Sequence, residues 1–258
     1  MVSILMLVYN APHYVEESIE TVHSMTSDVE YELVVVDNAS NSETKELLQK
    51  LYDEKKIDKL YFNPLNSLFA GGNNIASRIS SPNSDYYLLL NSDICIKNPA
   101  WLAKLVNLHQ NHSCGATAYG AVLATPIRAD GYCLLVNKEL YDKYLLDENY
   151  AWFWGVTKLE SQILADGFNI IAVKEHEKYI HHYGGGSGDA FKNAKGMDTE
   201  IGAIIKWFNL KKKVEIYKSM DSPSLTNHSY NLWCYLLNEL KSIKYHITNN
   251  LKKIFKSR

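Results

Sequence analysis

Asn91-Ser92-Asp93 is the stretch with the plainest capacity for chemistry. Asp93 is a hard oxygen donor, and one or two carboxylates acting with substrate phosphates suffice to hold Mg²⁺ or Mn²⁺. The trio ends the run Asp85 to Leu90, whose bulky residues do not alternate with polar ones. Such a run suits a strand covered on both faces inside a parallel sheet. Polar residues at the carboxyl end of a buried strand stand where open α/β sheets bind ligands. The competing reading is a helix cap, a role that Asn98-Pro99 fills equally well. Two other strand-like runs close in the same way. Val2 to Val8 ends on Tyr9-Asn10-Ala11-Pro12, and Glu32 to Val36 ends on Asp37-Asn38-Ala39-Ser40. Parallel strands would bring Asn10, Asp37 and Asn91/Asp93 to one edge of the sheet, where they can converge on one ligand.

The elements between these strands read as helices. Tyr14 to Met25 and Glu43 to Lys55 are amphipathic, the second with Leu47, Leu48 and Leu51 on one face. Lys59 to Phe62 reads as a short strand, and a turn-rich segment from Asn63 to Asn74 leads into another helix. The result is β-α-β-α-β-α-β over about the first hundred residues, the pattern of a doubly wound, mostly parallel sheet. Downstream, Trp101 to His109, Lys138 to Tyr144, Lys158 to Leu164 and Thr199 to Phe208 read as helices. Ala116 to Ala124, Gly131 to Val136 and Asn169 to Val173 read as strands. His181-His182-Tyr183 precedes a glycine-dense loop, Gly184 to Gly188. Such a loop is mobile, or lets backbone approach a ligand closely.

Composition narrows the classes. The 258 residues carry 46% hydrophobic and 22% charged side chains, as an ordinary globular protein does. A net charge of −2 argues against nucleic acid as the main partner. The apolar start, Met1 to Tyr9, has no basic flank and is too short to span a bilayer. Four widely spaced cysteines without a Cys-x-x-Cys favour buried thiols in a reducing cytoplasm over disulfides or zinc.

Leu7-Val8-Tyr9-Asn10, Val34 to Ser40, Asn66 to Asn74 and Leu89 to Asp93 together resemble family 2 glycosyltransferases of the GT-A fold. The rhamnosyltransferase-like branch of bacterial surface polysaccharide synthesis is the nearest in pattern. The resemblance covers about residues 1–190. It implies an enzyme that transfers a sugar from a nucleotide-diphosphate donor (UDP, dTDP or GDP) with inversion, aided by Mn²⁺ or Mg²⁺. It implies that Tyr9, Asn10, Pro12 and Asp37 line the base and ribose pocket. Asn66, Gly71, Gly72, Asn73 and Asn74 would border nucleotide and sugar, with Asn91 and Ser92 beside them. Asp93 would bind the metal, and His181 or His182 would complete its shell or meet the diphosphate. Asn91 stands where an aspartate is common, which removes one negative charge.

An inverting transfer needs a base near the acceptor hydroxyl, and in that family it belongs to a Glu-Asp pair before a helix. The register puts Trp154, Gly155 and Val156 there, so Asp147, Glu148 or Glu160 becomes the candidate base. Asp147-Glu148 as a capping or salt-bridged surface pair is the competing reading. Trp152 and Trp154, with Tyr150 and Phe153, suit a carbohydrate platform for a saccharide or lipid-linked acceptor, or else ordinary core packing. Two other functions compete: a nucleotidyltransferase, which would want a Gly-rich basic loop after the first strand, and a catalytically silent nucleotide-sugar-binding subunit. The expected organisation is a catalytic domain at 1–215 and a helical, basic extension at 216–258. The extension repeats apolar residues at helical spacing from Leu232 to Ile254 and carries no acid after Glu239. A helix of that kind can lie on the anionic inner face of the cytoplasmic membrane, pack on the domain, or pair two copies.

Overall fold

A computed structural model describes residues 1–185 and 191–221, with residues 232, 233, 235–237, 239–241, 243, 244, 247 and 248. The first half alternates strand and helix. β1 (Val2–Val8), α1 (Pro12–Ser24), β2 (Tyr31–Asn38), α2 (Ser42–Asp53), β3 (Lys59–Asn63), α3 (Leu68–Ile79) and β4 (Tyr86–Asn91) follow in order. A short strand, β5 (Ile94–Ile96), and α4 (Trp101–Asn111) come next. Then come β6 (Cys114–Tyr119), β7 (Ala121–Val122), β8 (Arg128–Ala129), β9 (Cys133–Asn137) and α5 (Lys138–Tyr144). A single turn at Glu148–Tyr150 leads to α6 (Gly155–Ala165), β10 (Asn169–Glu175), β11 (Ile180–His182), α7 (Ile201–Trp207) and β12 (Glu215–Ser219).

Eight strands form one sheet in the order β12-β10-β6-β9-β4-β1-β2-β3. All neighbours run parallel except β9, which is antiparallel to both β4 and β6. Both faces are covered, which explains the unbroken apolar runs. In β1, Ile4 and Met6 pack with Val15, Ile19 and Trp101 on one side. Leu5 packs with Ala70 and Ile163 on the other.

The register brings the strand ends together. Asp37 pairs across from Val8, and Leu7 from Asn91, so β1, β2 and β4 finish on one edge. Helix capping does not claim Asn91 to Asp93. β5 intervenes, and Asn98 Oδ1 accepts from the Ala100 amide at 2.9 Å ahead of α4.

Several expected bounds shift. The strand expected from Ala116 to Ala124 stops at Tyr119 because Gly120 turns the chain with φ +99°. The segment expected to be turn-rich up to Asn74 is helical from Leu68, with Gly71 to Asn74 buried inside α3. A Cβ on Gly72 would lie 2.2 Å from Leu7 Cδ1, so glycine is what lets α3 press on β1. The sheet also runs past residue 215: β12 pairs with β10 up to Ser219, so residues 216–219 are strand. The described residues between 232 and 248 are helical, and Leu232, Trp233, Leu240 and Ile247 among them are exposed. The rest of the extension, including Lys252, Lys253, Lys256 and Arg258, lies outside the described residues. Cys114 and Cys133 are buried free thiols and Cys95 a partly buried one, while Cys234 lies outside. Among the described residues no helix is long and apolar enough to cross a membrane.

Candidate functional site

The shared edge of β1, β2 and β4 opens into a cleft of about 520 Å³, within the usual range for a small-molecule site. Its strand-end wall carries Tyr9, Asn38 and Asn91 to Asp93, and α3 with the loop before it adds Asn66 and Asn73. Asn38 ties this wall together. Its Oδ1 accepts from Ser67 N and Oγ, both at 2.9 Å, and from Asn63 Nδ2 at 3.1 Å. Its Nδ2 donates to Asn66 Oδ1 at 2.6 Å.

Apart from Ser92, the other residues expected at the nucleotide stand behind this surface. Asp37 is wholly buried and accepts from the Ser40 amide at 3.3 Å. Asn10, in the left-handed region, accepts from Asn41 N at 2.9 Å through its side chain. Pro12 opens α1, where its missing N–H costs nothing. Gly71 and Gly72 are helix-packing positions. Asn74 braces the following loop, accepting from Leu146 N at 3.0 Å and donating to Leu146 O at 2.9 Å. Ser92 lines the cleft, and its carbonyl accepts from Ser18 Oγ at 2.9 Å.

The two histidines separate cleanly. β11 pairs antiparallel with β5, setting His182 opposite Ile94 and His181 opposite Cys95. Neighbours on a strand point to opposite faces. His182 therefore enters the cleft, with Nε2 at 3.3 Å from Asp93 Oδ1 and 3.3 Å from Asn91 Nδ2. Its ring stacks on Tyr132, centroids 4.3 Å apart and planes 9° from parallel. His181 turns the other way and meets Glu177 Oε2 at 3.0 Å. Nε2 of His182 can accept from the Asn91 amide or donate to the Asp93 carboxylate, never both at once. In the accepting tautomer it offers a lone pair beside a carboxylate, a donor set that fits Mn²⁺ or Mg²⁺ if phosphate oxygens fill the rest. Among the described residues no three His, Cys, Asp or Glu gather to hold a metal without such help.

None of the three candidate bases lines the cleft. Asp147 and Glu148 line a neighbouring hollow. Burial pushes the Asp147 carboxyl up, but hydrogen bonds from Lys158 and Asn149 outweigh it and hold the group below the usual range. A carboxylate so held is a weak proton acceptor. Glu148 accepts from Asn74 Nδ2 at 3.1 Å. Glu160 is wholly buried in α6 and accepts from Ala129 N at 2.9 Å. Burial raises its carboxyl to about 8 against weaker opposing pulls from the Ala129 amide and then Arg128. Among the described residues lining the cleft, two are carboxylates: Asp93 and Asp130. Asp130 escaped the sequence reading because Asp130-Gly131 before a strand looks like an ordinary turn. Arg128, also in the lining, sits beneath Phe153 and Trp154, 5.8 and 5.4 Å from their ring centroids.

The aromatic segment divides too. Trp152 lines the cleft and stacks on Phe191, centroids 5.0 Å apart and planes 9° from parallel. Trp154 is buried edge-on against Phe153. Flat faces such as those of Trp152 and Phe191 can cover apolar C–H surface.

Residues 3–127 match the family model described as Glycosyl transferase family 2. A curated relative from Haemophilus influenzae, described as an uncharacterized glycosyltransferase, is 31% identical over 112 residues. That alignment covers 43% of this chain and 44% of the relative, so the chain spans less than half of its length. A solved mannosyltransferase, PcManGT from Pyrobaculum calidifontis in complex with GDP-Man and Mn²⁺, superposes with a TM-score of 0.57 at 19% identity. It covers 67% of this chain and 55% of its own. TarS 1–349 from S. aureus, in complex with UDP-GlcNAc, gives 0.57 at 15% identity, covering 81% of this chain and 71% of its own. These likenesses establish the fold: a GT-A arrangement, α/β with a mostly parallel sheet flanked by helices.

Proposed function

Because residues 3–127 match the model of glycosyl transferase family 2, we propose that the chain is an inverting glycosyltransferase using a nucleotide-diphosphate sugar. The observation that carries this reading is the meeting of Asp93, Asn91 and His182 at the strand-end rim of one cleft. Tyr9, Asn38, Asn66 and Asn73 offer an aromatic face and amides to the nucleoside. Asp93 and His182 would hold Mn²⁺ or Mg²⁺ at the diphosphate end of the cleft. When bound, such a cation supplies Lewis-acid stabilisation of the leaving diphosphate's charge. The protein's own part is to fix the donor's orientation and keep the aromatic wall dry around the anomeric carbon.

The acceptor enters over Trp152 and Phe191. A saccharide or lipid-linked acceptor of cell-surface polysaccharide synthesis suits that flat apolar face. The exposed apolar residues of the extension, with Lys241 and Lys244, support peripheral contact with the inner face of the cytoplasmic membrane. Pairing of two copies through the same residues is the alternative. A silent donor-binding subunit is the second functional reading, favoured by Gly155 and Val156 at the start of α6 where an acidic pair would serve.

Incubation with UDP-, GDP- and dTDP-sugars in Mn²⁺ tests the reading. One donor should be hydrolysed or transferred, and Asp93→Ala should abolish this. Binding without turnover of any donor across a broad acceptor panel would replace the enzyme with the silent subunit.

A further inference from the structure

We propose that Asp130 takes the proton from the acceptor hydroxyl, replacing the acidic side chain that position 156 lacks; this rests on the transferase reading above. Asp130 and Val156 are parts of one wall of the cleft. A Cβ built on Gly131 would lie 3.0 Å from Val156 Cγ2, so the backbone beside Asp130 presses directly on Val156. The cleft's other carboxylate, Asp93, is engaged with His182. Asp147 is held by Lys158, and Glu160 is sealed under β8.

Asp130 sits on a fixed seat. Its amide donates to Gly120 O at 3.1 Å, and the Gly120 amide donates to Val173 O at 2.9 Å. The residue before it, Ala129, donates its amide to Glu160. Gly120 is required there, since its φ is +99° and any Cβ would meet Asp130 Cβ at 2.8 Å. An exposed turn aspartate needs no such support. Arg128 brings a cation to the same wall, electrostatically engaged with both Glu160 and Asp130.

The step balances without a further reagent. The acceptor O–H proton passes to the Asp130 carboxylate as the acceptor oxygen's lone pair forms the new bond to the anomeric carbon. The bond from that carbon to the diphosphate oxygen breaks, and its electron pair leaves with the nucleoside diphosphate.

The test measures hydrolysis of UDP-GlcNAc, GDP-mannose and the other donors above in Mn²⁺, with water as acceptor, beside calorimetric binding of UDP and GDP. Asp130→Asn should lower kcat by about 10²–10⁴-fold, the usual worth of a general base, while nucleotide Kd stays within about threefold. Adding Val156→Asp to Asp130→Asn should recover at least about tenfold in kcat, because it returns a carboxylate to the same wall. Turnover of Asp130→Asn close to wild type would overturn the assignment. So would an equal loss of nucleotide affinity, which marks a structural role. A wild-type chain that binds nucleotide and hydrolyses nothing refutes the transferase reading itself, and Asp130 with it.

Discussion

Glu160→Gln separates a buried structural acid from a catalytic one. Glu160 is fully buried, its Oε2 accepts from Ala129 N, and its Oε1 has no hydrogen-bond partner among the described residues. Burial lifts its carboxyl from 4.5 to about 8 in the fold. The native state thus binds a proton more tightly than the unfolded chain across that window. Stability is fully present below about pH 4.5 and falls, by about 1.4 kcal/mol per pH unit, until the folded group ionises near 8. The whole window amounts to roughly 5 kcal/mol. Glutamine keeps the acceptor for Ala129 N and does not titrate. Urea unfolding followed by tryptophan fluorescence from pH 5 to 8.5 should show the variant gaining on wild type by about 4 kcal/mol across that range. A stability difference constant to within about 1 kcal/mol would refute the burial argument.

Gly72→Ala should destabilise the fold by about 1–3 kcal/mol, as overpacking does, since its methyl would strike Leu7. Because Leu7 lines the cleft, nucleotide affinity should weaken with it; an unchanged denaturation midpoint would show that α3 yields freely. Asn38→Ala leaves Asn63 and Ser67 without their shared acceptor and should cost about 2 kcal/mol. Chemical denaturation checks it, and a loss below about 0.5 kcal/mol would mean that water replaces the amide. The anomer first released during donor turnover, read by proton NMR, should be opposite to the donor's.

The sequence made the scaffold legible where one local signal sufficed. Tyr86 to Leu90 announced a doubly covered strand, and the polar stops at Asn10, Asp37 and Asn91 marked one shared edge. Long-range pairing was not readable. Nothing local says that β11 crosses back to β5, yet that pairing alone decides that His182 rather than His181 meets Asp93. Nor does the period of β9 reveal that it runs antiparallel between β4 and β6, which places Asp130 just ahead of it on the cleft wall. Gly71 and Gly72 looked like a loop because glycine is the strongest breaker. Helix-on-sheet contact with Leu7 overrides that preference. Tertiary contact also splits the aromatic segment, leaving Trp152 at the cleft and burying Trp154.

Calorimetric titration of UDP, GDP and dTDP in Mn²⁺, on wild type and Asp93→Ala, tests most directly whether the strand tips form a diphosphate site. At least one diphosphate should bind wild type, with Asp93→Ala weakening it by tenfold or more, about 1.4 kcal/mol. Equal affinity in both proteins, or no binding of any of the three, would contradict it.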